Sequence, residues 1–146
     1  MIEITVNALP AITGQPDDQS ITYGNDASFT VSATGTGITY QWQVDTGTGF
    51  VDITNDGVYS NTQTTTLSLT RPIVAMSGYK YRCVVSGTCD PDATSDGNAT
   101  LTVAQRPVTV TAVTDTKTYD GGISSAGVPI VGALASGDAV LTAPTQ

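Results

Sequence analysis

The chain has no histidine, one glutamate (Glu3), six leucines and only five lysines and arginines among 146 residues. Without histidine it lacks the usual general base, the commonest neutral metal ligand and every Ser-His-Asp arrangement. Serine, threonine and aspartate nucleophiles remain chemically conceivable, but no Gly-x-Ser-x-Gly elbow occurs. With so few groups that move protons near neutrality, the sequence is expected to be non-catalytic, with no cofactor. Long apolar runs are missing too: the longest apolar stretch, residues 128–135, is broken by Pro129 and Gly132 and is far too short to span a bilayer. The opening Met1-Ile-Glu-Ile-Thr-Val has neither the basic nor the apolar segment of a secretory leader. The chain reads as a piece cut from a longer exported protein, with Met1 added by the cut.

Scarcity of Leu and Glu removes the good helix formers, whereas Thr occurs 26 times and Val 15 times. β-branched side chains fit a pleated surface, and 15 Gly with 7 Pro supply turns, so the fold class is all-β. Thirteen acidic against five basic residues give a net charge of −8. That field repels phosphate backbones and anionic headgroups, which excludes nucleic acid and membrane surfaces as natural partners.

Alternation marks the strands. Residues 27–33 put Ala27, Phe29, Val31 and Ala33 on one face, and residues 39–44 do the same with Tyr40, Trp42 and Val44. Further strands are expected at residues 50–53, 65–69, 79–85 and 99–103. Trp42 precedes Cys83 by 41 residues, and Tyr81 stands two residues before that cysteine. An aromatic on one strand and Tyr-x-Cys on a later one mark the core of an immunoglobulin-like sandwich. Trp42, Tyr81 and Val31 are therefore expected inside, with the Tyr81 hydroxyl tied to nearby backbone. Val31 occupies the place of the first antibody cysteine, eleven residues before Trp42, so no inter-sheet bridge can form.

The runs Tyr40-Gln-Trp-Gln, Tyr79-Lys-Tyr-Arg-Cys-Val-Val-Ser-Gly-Thr-Cys89 and Ala99-Thr-Leu-Thr-Val103 resemble the immunoglobulin-like repeats of large exported bacterial proteins, particularly Bacteroidetes-type ones. Beyond Pro107, Val108-Thr-Val-Thr, Lys117-Thr-Tyr-Asp-Gly121 and Ala135-Ser-Gly-Asp138 resemble the YDG/MBG-like surface repeat. An internal echo supports a serial arrangement: Ile4-Thr-Val with Pro10 recurs 97 residues later as Leu101-Thr-Val with Pro107. Three parts are expected: residues 1–8, the tail of a preceding module with its linker; residues 9–104, an immunoglobulin-like β-sandwich; and residues 105–146, an incomplete C-terminal β module. Proline at Pro10 and Pro107 limits bending at the joints.

In the resembled repeats, Cys83 and Cys89 look like a local disulfide closing the turn between the last two strands. The alternative reading is a buried free Cys83 with an exposed Cys89. No metal site is assigned. Asp90, Asp92 and Asp96 are the calcium candidates, but their spacing misses the EF-hand loop and lacks its closing Glu, and Asp-Gly is ordinary turn chemistry. Tyr59 is the loop aromatic able to stack on a sugar, set against a plain packing contact. The resemblance implies a spacer or stalk segment of a bacterial cell-surface or secreted adhesin, extracellular and monomeric, whose partners are the neighbouring β modules of its own chain. The alternatives are a module that binds a surface glycan or protein, through Tyr59 or residues 88–98, and an accessory domain of an exported enzyme.

Overall fold

The structure is a computed structural model that describes residues 6–113, 118, 121, 128–134 and 138–140. The chain divides into two compact units, Met1–Gln105 and Arg106–Gln146.

The first unit is built from strands, with one turn of 3-10 helix at Val74–Met76. Its larger sheet runs in the order β2 (Gln19–Thr22), β11 (Ala99–Ala104), β9 (Lys80–Ser86), β5 (Thr39–Asp45), β6 (Phe50–Asp52), and β10 (Ala93–Thr94) pairs with the far end of β9. The facing strands are β3 (Ala27–Thr30), β8 (Thr66–Leu69) and β7 (Tyr59–Ser60), with β1 (Ala11–Gly14) paired to β4 (Ser32–Thr34). The chain expected as one strand over 27–33 thus changes partner at Val31: residues 27–30 pair with β8, and residues 32–34 with β1. Val31 still donates its N–H to Thr65 O at 2.9 Å and stays buried, so the inward alternation survives the switch.

Period-two patterning explains the core. On β9, Tyr81, Cys83 and Val85 are buried while the intervening residues reach the surface; on β11, Ala99, Leu101 and Val103 do the same. With Phe29, Val31, Trp42, Leu67 and Leu69 these side chains make one contiguous core between the layers. Among the described residues all ladders are antiparallel except one: β2 lies parallel to β11, with Gln19 opposite Leu101 and Thr22 opposite Ala104. A parallel pair requires a long crossover, and here nearly the whole domain lies between the two strands.

The chain before β1 is docked. Pro10 is buried; a Cβ placed on Gly35 would sit 3.0 Å from Pro10 Cα, and one on Gly87 2.8 Å from Pro10 Cγ. Thr36 holds Ala8 by two bonds, its Oγ1 accepting from Ala8 N–H at 2.9 Å and its N–H donating to Ala8 O at 3.0 Å. The Thr36 carbonyl accepts from Thr88 N–H at 2.9 Å, which joins the incoming chain to the turn after β9.

In the second unit, β12 (Val110–Thr111) and β13 (Ile130–Val131) form an antiparallel pair, and Gly132 N–H donates to Thr109 O at 2.7 Å. Of the motifs expected there, Lys117, Tyr119, Asp120 and residues 135–137 lie outside the described residues, as do Ile4 and Thr5 of the internal echo.

Candidate functional site

Trp42 is completely buried, opposite Cys83 across the β5–β9 ladder, and its Nε1–H donates to Thr64 O at 2.9 Å. A buried indole needs such an acceptor, since an unmatched donor there would be costly. Tyr81 is also completely buried, stacked on Phe29 with ring centroids 4.5 Å apart. Its hydroxyl does not return to nearby backbone as expected. It bonds the Tyr59 hydroxyl at 3.2 Å, with the two rings edge to face at 6.3 Å. This places Tyr59 in strand β7, half-buried against the core, in the manner of the packing contact and not of a free loop aromatic. Burial raises both phenols above the ordinary tyrosine value.

The expected Cys83–Cys89 bridge is not formed: both cysteines are free thiols. Cys83 sits mid-strand with its side chain in the core, whereas Cys89 lies beyond the strand end with Sγ directed at Asn7 O, 3.9 Å away. The two thiols thus face different surroundings, whereas a disulfide needs side chains that converge. Burial pushes the Cys83 thiol up to about 11, which makes it an inert core thiol.

The calcium candidates do not converge. Asp92 Oδ2 accepts from Ser86 Oγ at 2.8 Å, while Asp96 takes the Asn98 N–H and side-chain amide at 3.0 Å each. Among the described residues no group of three or more His, Cys, Asp or Glu could hold a metal ion. The aspartates act instead as acceptors for loop N–H groups. Asp45 Oδ1 takes Gly47 and Gly49 at 2.7 and 2.8 Å, Asp56 takes Val58 and Tyr59 at 2.7 Å each, and Asp18 takes Thr100 at 2.7 Å. Those backbone bonds hold the Asp45 and Asp56 carboxyls below their ordinary value.

The chain does contain one Ser-x-x-Lys spacing, Ser77-Gly-Tyr-Lys80. Ser77 ends the 3-10 turn and its Oγ accepts Val103 N–H at 3.1 Å, while Lys80 opens β9 on the exposed face. The serine hydroxyl is thereby tied to β11.

On the outer face of the larger sheet, Arg82 lies over the Phe50 ring at 4.2 Å and donates through Nε to Gln43 Oε1 at 2.7 Å. Gly97, at φ +72°, lets the ring approach: a Cβ there would lie 2.9 Å from Phe50 Cζ. The arrangement stiffens the sheet surface and contains no acid–base pair. A concave site lies elsewhere, along the first half of β5, where residues Tyr40, Gln41 and Gln63 meet. Among the described residues no helix is long and apolar enough to cross a membrane.

No protein-family model matches the sequence, and no curated protein matches it. Solved structures do. The M4 domain of titin is 21% identical with a TM-score of 0.57, over 68% of this chain and 100% of that one. Tandem immunoglobulin repeats of Dlar are 20% identical with a TM-score of 0.52, over 73% of this chain and 54% of that one. The four N-terminal immunoglobulin domains of Dscam1 isoform 6.9 are 18% identical with a TM-score of 0.59, over 89% of this chain and 33% of that one. At such identities the likeness speaks for the fold, and together with the two layers and buried Trp42 it shows that the chain carries an immunoglobulin-like β-sandwich resembling those strung in tandem.

Proposed function

We infer that the chain is a non-catalytic spacer segment of a tandem array in a bacterial cell-surface or secreted adhesin-like protein. In this reading residues 1–8 are the tail of a preceding module with its linker, residues 9–104 are the immunoglobulin-like domain, and residues 105–146 are an incomplete YDG-like module. The partners are the adjoining modules of the same chain, and the segment is monomeric and extracellular.

The observation that carries this reading is the parallel β2–β11 pair, with Gln19–Thr22 against Leu101–Ala104. β2 lies near the start of the domain and β11 ends it, and the two run in one direction. Tension applied at the two ends of the domain therefore pulls them past each other along their length. The ladder bonds then resist together, whereas bonds pulled crosswise would open one at a time. Such an arrangement suits a spacer that transmits force along its length.

Single-molecule extension of the chain, flanked by marker domains, tests it. Tyr23 N–H donates to Ala104 O at 2.8 Å, so by alternation Gln19 and Ile21 also turn their backbone toward β11 and Ser20 turns away. Ile21→Pro deletes a ladder donor and is expected to lower the unfolding force clearly, while Ser20→Pro leaves it near the parent value. Equal forces for both variants and the parent would refute a shear-bearing role.

A further inference from the structure

We propose that the cleft along the first half of β5 is a binding site for an uncharged saccharide, a function beyond that of a spacer. The cleft, about 490 Å³, is lined by Ile38, Thr39, Tyr40, Gln41, Gln63 and Ser86. Its volume falls in the range of about 300–1,000 Å³ typical of small-molecule sites.

Its location follows from the sheet. Alternation sends Thr39 and Gln41 to one side of β5 and Ile38 and Tyr40 to the other. A cleft lined by four consecutive residues must therefore run along the strand's edge and not over a face. That edge is open because β6 is short: it pairs with Gln43, Val44 and Asp45, and Ile53 N–H reaches Trp42 O. Trp42 N–H goes to Thr62 O, so even-numbered residues turn their backbone away from β9, and Tyr40 carries its N–H and C=O to the cleft side.

The chemistry of the lining selects the ligand. In a chain of net charge −8, none of the six lining side chains is charged. An anion would find no cation to hold it and a negative field around it. An ammonium group would find no carboxylate in the lining, and the Asp92 carboxylate beside it already accepts the Ser86 hydroxyl at 2.8 Å. What is offered is one half-buried aromatic ring, two amides and two hydroxyls. Tyr40 packs against the core on one side, which fixes the ring as a platform for the C–H face of a sugar.

Gln41 is locked in place. Its Nε2 donates to Trp42 O at 2.8 Å and Ile53 O at 2.9 Å, and its Oε1 accepts from Gln63 Nε2 at 3.3 Å. Both Gln41 donor hydrogens are thus spent on orientation. Gln63 is exposed and keeps its own Oε1 and a second N–H, a donor and an acceptor side by side that suit a vicinal diol. Thr39 and Ser86 stand directly opposite each other across the ladder at the end of the cleft; Thr39 adds a hydroxyl, while Ser86, whose proton goes to Asp92 Oδ2 at 2.8 Å, adds an acceptor only. An extended peptide fits less well. Beyond Tyr40 the strand edge is already taken by Thr62, whose carbonyl accepts Trp42 N–H at 2.9 Å, so an added strand would gain too short a ladder.

The test uses the full chain on an array of neutral and acidic oligosaccharides, followed by titration of the retained neutral glycans. Side-chain amide resonances of Gln41 and Gln63 are followed by NMR during the titration. Saturable binding of an uncharged glycan that shifts the Gln63 amide is expected. Gln63→Ala, at an exposed position, is expected to weaken it roughly three- to tenfold, the value of one neutral hydrogen bond. Tyr40→Phe keeps the ring and most of the binding; Tyr40→Val removes the platform and abolishes it, with folding checked by the emission of Trp42. Val51→Ala, at an exposed edge position remote from the lining, leaves binding unchanged. Retention of no neutral glycan, retention of acidic glycans alone, or affinity indifferent to both Gln63→Ala and Tyr40→Val would overturn the proposal. So would a displayed-peptide library that selects ligands displaying no competition by sugar. None of these outcomes bears on the unfolding force of the β2–β11 pair.

Discussion

Removing the two tyrosine hydroxyls one at a time gives unequal costs that the structure fixes in advance. Tyr59 and Tyr81 share one hydrogen bond of 3.2 Å, but their surroundings differ: Tyr81 is completely buried, while Tyr59 is half exposed. Tyr59→Phe leaves the Tyr81 hydroxyl in the core with no partner, and an unmatched buried polar group costs about 1–3 kcal/mol. Tyr81→Phe keeps the ring stacked on Phe29 and strands only the Tyr59 hydroxyl, which water can reach, so the loss is about 0.5–1 kcal/mol. The double variant removes both hydroxyls and the unmatched group with them. It should cost less than the two single changes together, a positive coupling of about 1 kcal/mol. Urea unfolding at neutral pH, followed by the emission of the single, buried Trp42, measures all three, and each kcal/mol corresponds to about 4–8 °C in Tm for a domain near 100 residues. A Tyr81→Phe cost larger than that of Tyr59→Phe, or strict additivity, would refute the reasoning.

Gly97→Ala should destabilise by about 1–2 kcal/mol, because φ is +72° and the new Cβ meets the Phe50 ring at 2.9 Å; urea unfolding beside Phe50→Leu, which should recover part of the loss, is the check. Acid should weaken the fold through Asp45 and Asp56. Their carboxyls are more acidic folded than unfolded, so their stabilisation is present above the ordinary value of 3.8 and is lost as pH falls through the lower folded value; Asp45→Asn should shrink the fall in urea midpoint seen below about pH 4. Alkali should act in the opposite sense through Tyr59, Tyr81 and Cys83. Raised folded values mean that their contribution is complete below the ordinary 10.0 and 9.0 and is lost as pH climbs, so ultraviolet titration should find at least two of six tyrosines ionising only with unfolding. A thiol reagent should label Cys89 alone in the native protein and both cysteines in denaturant; no labelling in denaturant would show a bridge.

The strands legible in the sequence were those with one face fully buried. Residues 81, 83 and 85, or 99, 101 and 103, alternate cleanly because each second position is closed off from water. β1 and β2 escaped notice since their inward residues, Ile12 and Ile21, are only half buried and the two strands are separated by Pro16. β7 is two residues long and follows the Asn55-Asp-Gly turn, so its period could not register. The pairing of Tyr59 with Tyr81 depends on which strands become neighbours, and spacing in sequence holds no record of that. The same holds for the cysteines: six residues apart, they face different surroundings because one ends up inside a strand and the other past its end. The aspartates could stand as calcium candidates because local composition shows the carboxylates but not the backbone N–H groups that claim them. The Gln41–Gln63 contact joins residues 22 apart and left no pattern at all.

Thr36 grips Ala8 through both its hydroxyl and its amide, and Pro10 fills the space left by Gly35 and Gly87. In genetic terms, the stretch that must be inherited together is therefore longer than the run of strands. A duplication or recombination breakpoint at Ala11, where regular structure begins, would pass on a sandwich whose Thr36 hydroxyl and amide have lost Ala8, with a hollow where the proline ring belongs. Breakpoints upstream of Asn7 would transmit the whole unit, and crossover between repeats should be tolerated there.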